Sequence, residues 1–227
     1  NDVVGVMGGQ GLDEGCVVVA DTQSAGRGRH GRSWYSPPGV GLYVSILLRP
    51  DPSVASLVTL GAGVAVVDGV QRSTGLTPQL KWPNDVYLGN RKLAGILAEA
   101  GASTAGRVHV ALGFGINVLP GRFPNELAGR ATSLETELGR PIDRGALLVE
   151  CLACFAGVYA DLQEGRSSNV LTRWRARAAA TLNRPVEWDG DHALRRGMAH
   201  DIDESGALLV RTEPGVVRLI SGEVRWT

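Results

Sequence analysis

The hydrophobic pattern of the first half of the chain predicts strands and helices in a layered α/β domain. C-V-V-V-A-D at 16–21 has the composition of a buried strand, and apolar and polar residues alternate over 41–49 as in a second strand. Residues 53–72 carry apolar side chains at helical spacing, although glycines in this run weaken the helix prediction. Three strand-like pieces follow, L-K-W-P-N-D-V-Y-L, K-L-A-G-I-L-A-E and V-H-V-A-L-G-F-G-I-N-V, with a G-N turn placed for a hairpin.

The pattern changes twice in the second half of the chain. Apolar residues at helical spacing predict two helices, at roughly 143–164 and 168–180. After Asn183, short alternating runs are separated by D-G-D, D-E-S-G and E-P-G turns, which is typical of a small β-barrel. We therefore divide the chain into a main domain over 1–181 and a small β domain over 182–227.

Composition narrows the class of protein. A chain of 227 residues with 44% hydrophobic content can bury a sizeable core. Its 23 basic and 23 acidic residues cancel, so no overall positive field attracts a long polyanion. No apolar run reaches the roughly 18 residues that span a bilayer, and the start lacks the pattern of a secretory signal. These features predict a cytoplasmic protein without a membrane partner.

Cys151 and Cys154 form a C-L-A-C motif that formally matches the spacing of redox cysteines. The motif lies inside the second predicted helix, in or beside its apolar stripe and away from the helix N-terminus that would lower a thiol pKa. The sequence therefore predicts buried, reduced core cysteines at these positions.

An arginine-rich loop is the first candidate for chemistry. Residues 25–38 read A-G-R-G-R-H-G-R-S-W-Y-S-P-P, which matches a phosphate-binding P-loop except that Arg32 stands in place of the lysine. The residues after Ser33 cannot start a helix, so the P-loop interpretation fails. Arg27 and Arg29 with Arg32 suit phosphate contacts, and Trp34 suits stacking on a base. The alternative is a solvated surface loop with the tryptophan in the core.

Because its arginines repel one another and gain little from packing, we expect the loop over 26–36 to be mobile without ligand and ordered with it.

A lysine and a carboxylate form the second candidate. K-W-P-N-D occupies 81–85, and Lys92 opens the apolar K-L-A-G-I-L run. A charge next to a buried run needs a carboxylate or an anionic ligand, and Asp85 is the nearest partner across the predicted hairpin. A purely structural ion pair is the alternative. Asn117 ends a strand after two glycines, where backbone can approach a ligand closely.

These motifs carry a family resemblance. G-R-G-R-H-G-R-S-W, K-W-P-N-D, R-K-L-A-G-I-L and G-x-G-I-N, with A-T-S-L at 131–134, resemble the biotin protein ligase family in order and spacing over nearly the whole chain. The resemblance implies an α/β (α+β) fold with a mixed sheet related to class II aminoacyl-tRNA synthetases and an SH3-like C-terminal barrel. It also implies activation of biotin by ATP and Mg²⁺ to biotinyl-5′-AMP. Transfer to a lysine of a biotin carboxyl carrier protein, as in acetyl-CoA carboxylase, would follow.

The resemblance also implies roles for individual residues. Lys92 and Arg29 would be catalytic and hold the reacting carboxylate and α-phosphate, with Asp85 orienting Lys92 or assisting the incoming amine. The residues implied to contact biotin are Asn1, Gln23, Gly26, Arg27, Arg29, Lys92, Gly95, Gly113 and Gly115. Those implied to contact ATP or the adenylate are Arg29, Arg32, Trp34, Asn84, Lys92 and Asn117.

The chain also departs from the family pattern. Of the family's S-T-N motif only Asn1 is present, and Arg225 is a loose counterpart of a late arginine. No helix-turn-helix precedes the first strand, so we expect no DNA partner, and a homodimer is compatible with the sequence. Two other functions stay open, a lipoate ligase of the same fold and a non-catalytic interaction module.

Overall fold

Six antiparallel strands form the main sheet of the computed structural model, which describes residues 1–103, 106–121, 123–190 and 193–227. The strands are β1 (Val17–Ala20), β2 (Gly41–Leu48), β3 (Gln79–Lys81), β4 (Asp85–Leu88), β5 (Arg91–Ala102) and β6 (Val108–Asn117). Their order is β1-β2-β6-β5-β4-β3. The predicted α+β class is confirmed, but the sheet that was expected to be mixed is antiparallel between all of these strands. A single parallel bridge joins Lys92 to Ala131.

The helices of the described residues are α1 (Asp2–Gly9), α2 (Val58–Thr74), α3 (Leu134–Leu138), α4 (Arg144–Gln163) and α5 (Ser167–Arg177). α2 ends at Gly75, whose φ of 78° is the left-handed conformation that glycine adopts most easily. α4 begins after Asp143, whose carboxylate accepts hydrogen bonds from the backbone N–H groups of Gly145 and Ala146 at 2.7 and 3.1 Å. The two helices pack against each other, with Gly69 of α2 directly over Cys151 of α4.

By length and composition alone, α4 could cross a membrane, with a mean hydropathy of 1.6 over its most apolar window. Core helices of globular proteins pass the same test. Residues of α4 such as Leu147, Phe155 and Val158 are buried in the main hydrophobic core.

The two faces of the main sheet differ in chemistry because side chains alternate along each strand. The core face carries Leu42, Val44, Ile46 and Leu48 of β2 and Val110, Leu112, Phe114 and Ile116 of β6, all buried in the main hydrophobic core. The other face, which we call the open face, carries Tyr43, Ser45 and Leu47 of β2 and Ala111, Gly113, Gly115 and Asn117 of β6. α1 covers one end of the open face, where Val4 packs on Leu47 and Ala111.

A second antiparallel sheet, the C-terminal sheet, consists of β7 (Arg184–Asp189), β8 (Leu194–Ile202), β9 (Leu208–Thr212), β10 (Gly215–Leu219) and β11 (Arg225–Trp226). Its order is β10-β9-β8-β7-β11. Two indole groups join this sheet and its loops to the main domain. Trp82 donates from Nε1 to the Gly206 carbonyl at 3.0 Å, and Trp226 donates from Nε1 to the Ala180 carbonyl at 2.8 Å.

Several local differences from the sequence predictions have simple physical reasons. α1 was not predicted because its valines and glycines are poor helix formers, and its contacts with the open face stabilise it instead. The 16–21 segment is an edge strand rather than a buried one, since Val17 and Val19 are exposed. The first predicted hairpin piece is two strands, β3 and β4, separated at the cis Trp82–Pro83 peptide.

The prediction for the C-L-A-C motif is confirmed. Cys151 and Cys154 are free and buried in the main core. Burial raises the pKa of the Cys151 thiol to about 12, which leaves it protonated and unreactive near neutral pH.

Candidate active site

A cavity of about 750 Å³ lies on the open face of the main sheet, a volume typical of small-molecule sites. The arginine-rich loop, the 82–84 turn, the end of β6 and the C-terminal sheet border it. The predicted site residues that line it are Asn1, Gln23, Arg27, Arg29, Arg32, Trp34, Asn84, Asp85, Lys92, Gly95, Gly113, Gly115 and Asn117. The fold therefore gathers predicted residues from five segments of the chain into one site.

Gly26 is the exception, because it does not line the cavity. Its carbonyl accepts a hydrogen bond from the Trp34 backbone N–H at 2.8 Å, and a Cβ at this position would lie 2.6 Å from Ser36 Oγ. The glycine allows the two arms of the loop to approach closely. Its contact with biotin stays a prediction beside this structural role.

The glycines of the G-x-G-I-N motif leave room above β6 for two side chains. A Cβ added to Gly115 would lie 2.5 Å from Trp34 Nε1, so the indole rests directly on this backbone. A Cβ added to Gly113 would overlap the side-chain amide of Asn1. Trp34 thus lies in the cavity rather than in the core, contrary to the alternative in which it packs inside the protein.

The side chain of Asn1 is fixed by three hydrogen bonds at one end of the cavity. Its Nδ2 donates to Glu99 Oε2 at 2.8 Å and to the Leu97 carbonyl at 3.2 Å, and its Oδ1 accepts from Ser45 Oγ at 2.8 Å. Arg27 joins this group by pairing with Asp2 at 3.0 Å and with Glu99 at 3.2 Å. This end of the cavity therefore offers neutral and acidic hydrogen-bonding groups, and the charge of its one arginine, Arg27, is already paired with carboxylates.

The three arginines of the loop differ in their partners. Arg27 is paired as described above, and Arg32 pairs with Glu223, in the connection between β10 and β11, at 2.8 Å. Arg29 donates only to the Gly222 carbonyl, at 3.5 Å, and no carboxylate of the described residues lies within 4 Å of it. Burial lowers the pKa of Arg29, because its charge is partly removed from water, while Asp85 and Glu223 oppose this shift.

Arg27 and Arg32 therefore each have a carboxylate partner in the folded protein. The loop itself is a hydrogen-bonded hairpin, with Gly28 N–H donating to the Arg32 carbonyl at 2.7 Å. Arg29 is left as the cation that is half-buried and without a carboxylate, which suits contact with an anionic ligand.

Lys92 and Asp85 form the predicted ion pair, with 2.6 Å between Nζ and Oδ1. The pair lines the cavity, and Lys92 Nζ lies 5.5 Å from the centre of the Trp34 ring. An ion pair inside a cavity can exchange its partner for a ligand carboxylate or phosphate.

Two asparagines hold the walls of the site. Asn84 donates to the Ile96 carbonyl at 2.8 Å and anchors the turn to β5. Asn117 donates to the Thr132 carbonyl at 3.0 Å and anchors the A-T-S-L segment.

Sequence reasoning missed several residues of the lining, namely Lys81, Trp82, Tyr87, Glu99, Arg130, Glu223 and Trp226. Lys81 was inside a quoted motif, and its position opposite Asp85 became evident only with the β3–β4 register. Trp226 lies in β11 and Glu223 just before it, and no local pattern encodes how this C-terminal region packs against the cavity. Hydrogen bonding from Arg32 lowers the pKa of Glu223, so this carboxyl is ionised at neutral pH.

A metal ion in this site would need ligands besides the side chains of the protein. Within the described ranges, no group of three or more His, Cys, Asp or Glu side chains gathers around one point. Mg²⁺ commonly uses one or two carboxylates together with substrate phosphates and water. Asp85 and Glu223 are carboxylates near the loop arginines that would fit this requirement.

Comparison with known proteins agrees with this geometry. The family described as "Biotin/lipoate A/B protein ligase family" matches residues 7–117, and "Biotin protein ligase C terminal domain" matches residues 181–225. The biotin–[acetyl-CoA-carboxylase] ligase of Paracoccus denitrificans is 34% identical over 94% of this chain and 91% of its own length. The biotin protein ligase of Aquifex aeolicus in complex with biotin and ATP has a TM-score of 0.84 at 31% identity, covering 95% of this chain and 91% of that one.

A third relative is longer than this chain. The "Bifunctional ligase/repressor BirA" of Bacillus subtilis is 37% identical over 93% of this chain, which spans only 66% of that relative.

The α+β fold and the cavity define a protein of the biotin and lipoate ligase class. Within that class, the chain belongs to the biotin protein ligase family. The predicted SH3-like C-terminal fold is confirmed with it.

Proposed function

We propose that this chain activates biotin with ATP to biotinyl-5′-AMP and transfers the biotinyl group to a lysine of an acceptor protein. Support comes from the cavity, which combines a neutral or acidic end around Asn1 with a half-buried Arg29 and the Lys92–Asp85 pair. It also comes from the similar proteins, one of which holds biotin and ATP.

In the first step, an oxygen of the biotin carboxylate attacks the α-phosphorus of ATP, and the bond to the bridging oxygen breaks to release pyrophosphate. Lys92 leaves Asp85 and contacts both the carboxylate and the α-phosphate, which reduces the repulsion between two anions. Arg29 contacts the α-phosphate, and its partial burial strengthens the interaction because little water screens it.

Positioning is the second contribution of the site. Trp34 lies against Gly115, where its ring would stack on the adenine, while Asn1 lies against Gly113, where its Oδ1 would accept a second hydrogen bond, from the ureido ring. Two neighbouring positions of β6 on the open face would therefore hold the biotinyl and adenine parts of the adenylate at fixed places. Holding both reactants in place is what catalysis by proximity requires.

In the second step, the amine of the acceptor lysine attacks the carbonyl carbon of the mixed anhydride, AMP leaves, and the amine loses a proton. Asp85 becomes available for this proton when Lys92 is bound to phosphate. We propose a biotin carboxyl carrier protein of a carboxylase as the acceptor, in keeping with the name of the Paracoccus relative.

Mg²⁺ enters this proposal with the nucleotide, held by phosphates and at most by Asp85 or Glu223. The cytoplasmic location, the absence of DNA and membrane partners, the homodimer and the division at 181 and 182 stay predictions.

The observation that carries the proposal is the shared cavity of Arg29, Trp34 and the Lys92–Asp85 pair. Biotin-dependent exchange of labelled pyrophosphate into ATP tests it. We expect exchange with biotin and little with lipoate. Exchange with lipoate alone would assign the chain to lipoate ligation, and exchange with neither acid would favour an interaction module.

A further inference from the structure

Lys81 is a buried lysine on the wall of the cavity. Its exposure is 8%, and it lies at the end of β3 directly opposite Asp85 of β4. The chain contains two lysines, Lys81 and Lys92, among 23 basic residues, and both line this cavity. Everywhere else the chain uses arginine, so the compact ammonium group is confined to the site.

Lys81 has no carboxylate within 4 Å among the described residues, because its neighbour Asp85 is paired with Lys92. Its ammonium group instead lies 4.5 Å from the centre of the Trp226 ring and 5.4 Å from that of Tyr87. Cation–π contacts replace only part of the hydration that a buried ammonium loses.

Lys81 and the charged groups around it together carry a net positive charge, because Lys81, Lys92 and Arg130 face only two carboxylates. Burial lowers the pKa of Lys81, the charges of Asp85 and Glu223 raise it, and those of Lys92 and Arg130 lower it further. Since Asp85 and Glu223 already pair with Lys92 and Arg32, an additional anion would stabilise this group of cations.

The register of the sheet relates Lys81 to the rest of the site. Gly115, Gly95, Asp85 and Lys81 form one row across β6, β5, β4 and β3 on the open face. Neighbouring strands are about 4.8 Å apart, so Lys81 lies roughly two strands beyond Gly95, in the direction away from Asn1 and Gly113. A chain of phosphates that starts near Lys92 can cover this distance.

We infer that Lys81 binds the β- and γ-phosphates of the nucleotide, and hence the pyrophosphate that leaves when biotin is activated. The inference rests on the proposed function and assigns a phosphate-binding role to a residue with no other partner of opposite charge. A different role is a general base for the acceptor amine, which the buried position of Lys81 would also allow.

The two roles predict opposite effects on the two half-reactions. Lys81→Met keeps the length of the stem and removes the charge, and Lys81→Arg restores a cation. If Lys81 binds pyrophosphate, Lys81→Met raises the KM for ATP and the inhibition constant for inorganic pyrophosphate by about tenfold or more, the effect of one charged hydrogen bond. The KM for biotin changes little, and transfer from preformed biotinyl-5′-AMP to the acceptor keeps its rate. Lys81→Arg recovers part of the affinity for ATP.

A matched control separates charge in the site from packing on the tryptophan. Arg184 also lies over the Trp226 ring, 5.2 Å from its centre, but does not line the cavity. Arg184→Met should leave the ATP and pyrophosphate constants unchanged. Equal losses in Arg184→Met and Lys81→Met would overturn the inference in favour of a packing role.

Chemical labelling gives a readout that is independent of turnover. Lys81 and Lys92 can be distinguished by mass spectrometry after reaction of the parent chain with an amine-specific reagent. We expect inorganic pyrophosphate with Mg²⁺ to slow labelling of Lys81, since a bound anion covers the amine and favours its protonated form. Unchanged labelling at saturating pyrophosphate, or loss of transfer with normal exchange in Lys81→Met, would overturn the assignment. Absence of biotin-dependent exchange in the parent chain would instead count against the proposed function.

Discussion

The two ends of the cavity are built from different chemistry. At the Asn1 end, which comprises Asn1, Asp2, Arg27 and Glu99, two carboxylates surround one arginine. At the Lys81 end, the cations Arg29, Arg32, Lys81 and Lys92 face the carboxylates of Asp85 and Glu223. An uncharged ring with polar edges suits the first end and a phosphate chain suits the second. The distribution of charge therefore gives the bound substrates one direction along the sheet.

Changing Lys92 should disturb the Lys81 end most. Lys92→Ala removes the ammonium that meets charge developing on the α-phosphate, so we expect a loss of about 3 kcal/mol in the adenylation step, comparable to losing one transition-state donor. Biotin-dependent pyrophosphate exchange measures it. The fold should persist, as checked by circular dichroism, and exchange at the parental rate in a folded variant would remove Lys92 from the mechanism.

Trp34 lies between the two ends and should discriminate between ligands. Stacking of a base on an aromatic ring contributes about 1–3 kcal/mol, so Trp34→Ala should weaken binding of biotinyl-5′-AMP far more than binding of biotin. Isothermal titration with each ligand gives the comparison. Equal losses for both would mean that the indole supports the whole cavity rather than the adenine.

The glycines of β6 offer a paired test of the two ends. Gly115→Ala would displace Trp34, and Gly113→Ala would displace Asn1. We expect the first variant to weaken ATP binding and the second to weaken biotin binding, each by about 1–2 kcal/mol, as for a moderate overpacking. The KM for each substrate measures the change. If both variants affected the same substrate, the two ends would not be separate binding sites.

The arginine-rich loop should give the smallest effect, seen as a change in protease sensitivity. Arg27 and Arg32 hold its hairpin through ion pairs with carboxylates of other segments. These ion pairs are partly exposed, so each contributes little to stability. Trypsin should cleave within 26–36 rapidly in the free protein and slowly with biotin and ATP bound. A cleavage rate that ligands leave unchanged would mean that the loop does not close over the site.

The short motifs that supply the site residues could be predicted from the sequence, but the contacts that the fold makes between distant motifs could not. The arginine-rich loop, the Lys92–Asp85 partnership and the two glycines of β6 each have a short-range signature, and each was predicted from the sequence as part of one site. The role of Gly26 depends on its distance from Ser36, which only the folded loop defines.

Long-range pairing decided the remaining features. The position of Lys81 depends on the register of β3 and β4, and its aromatic neighbour Trp226 comes from the other end of the chain. The pairing of Arg32 with Glu223 could not be predicted, because most of the sequence separates the two residues. Ion pairs between distant segments leave no periodic pattern, so charge balance within a loop predicts its partners poorly.

A crystal structure with a non-hydrolysable biotinyl-5′-AMP analogue and inorganic pyrophosphate would test the direction of the substrates most directly. We predict the ureido ring beside Asn1 and Gly113, the adenine on Trp34, the phosphate of the analogue between Arg29 and Lys92, and pyrophosphate on Lys81. A complex with the ureido ring at the Lys81 end, or with phosphate groups beside Asp2 and Glu99, would contradict the division of the cavity into a neutral and a cationic end.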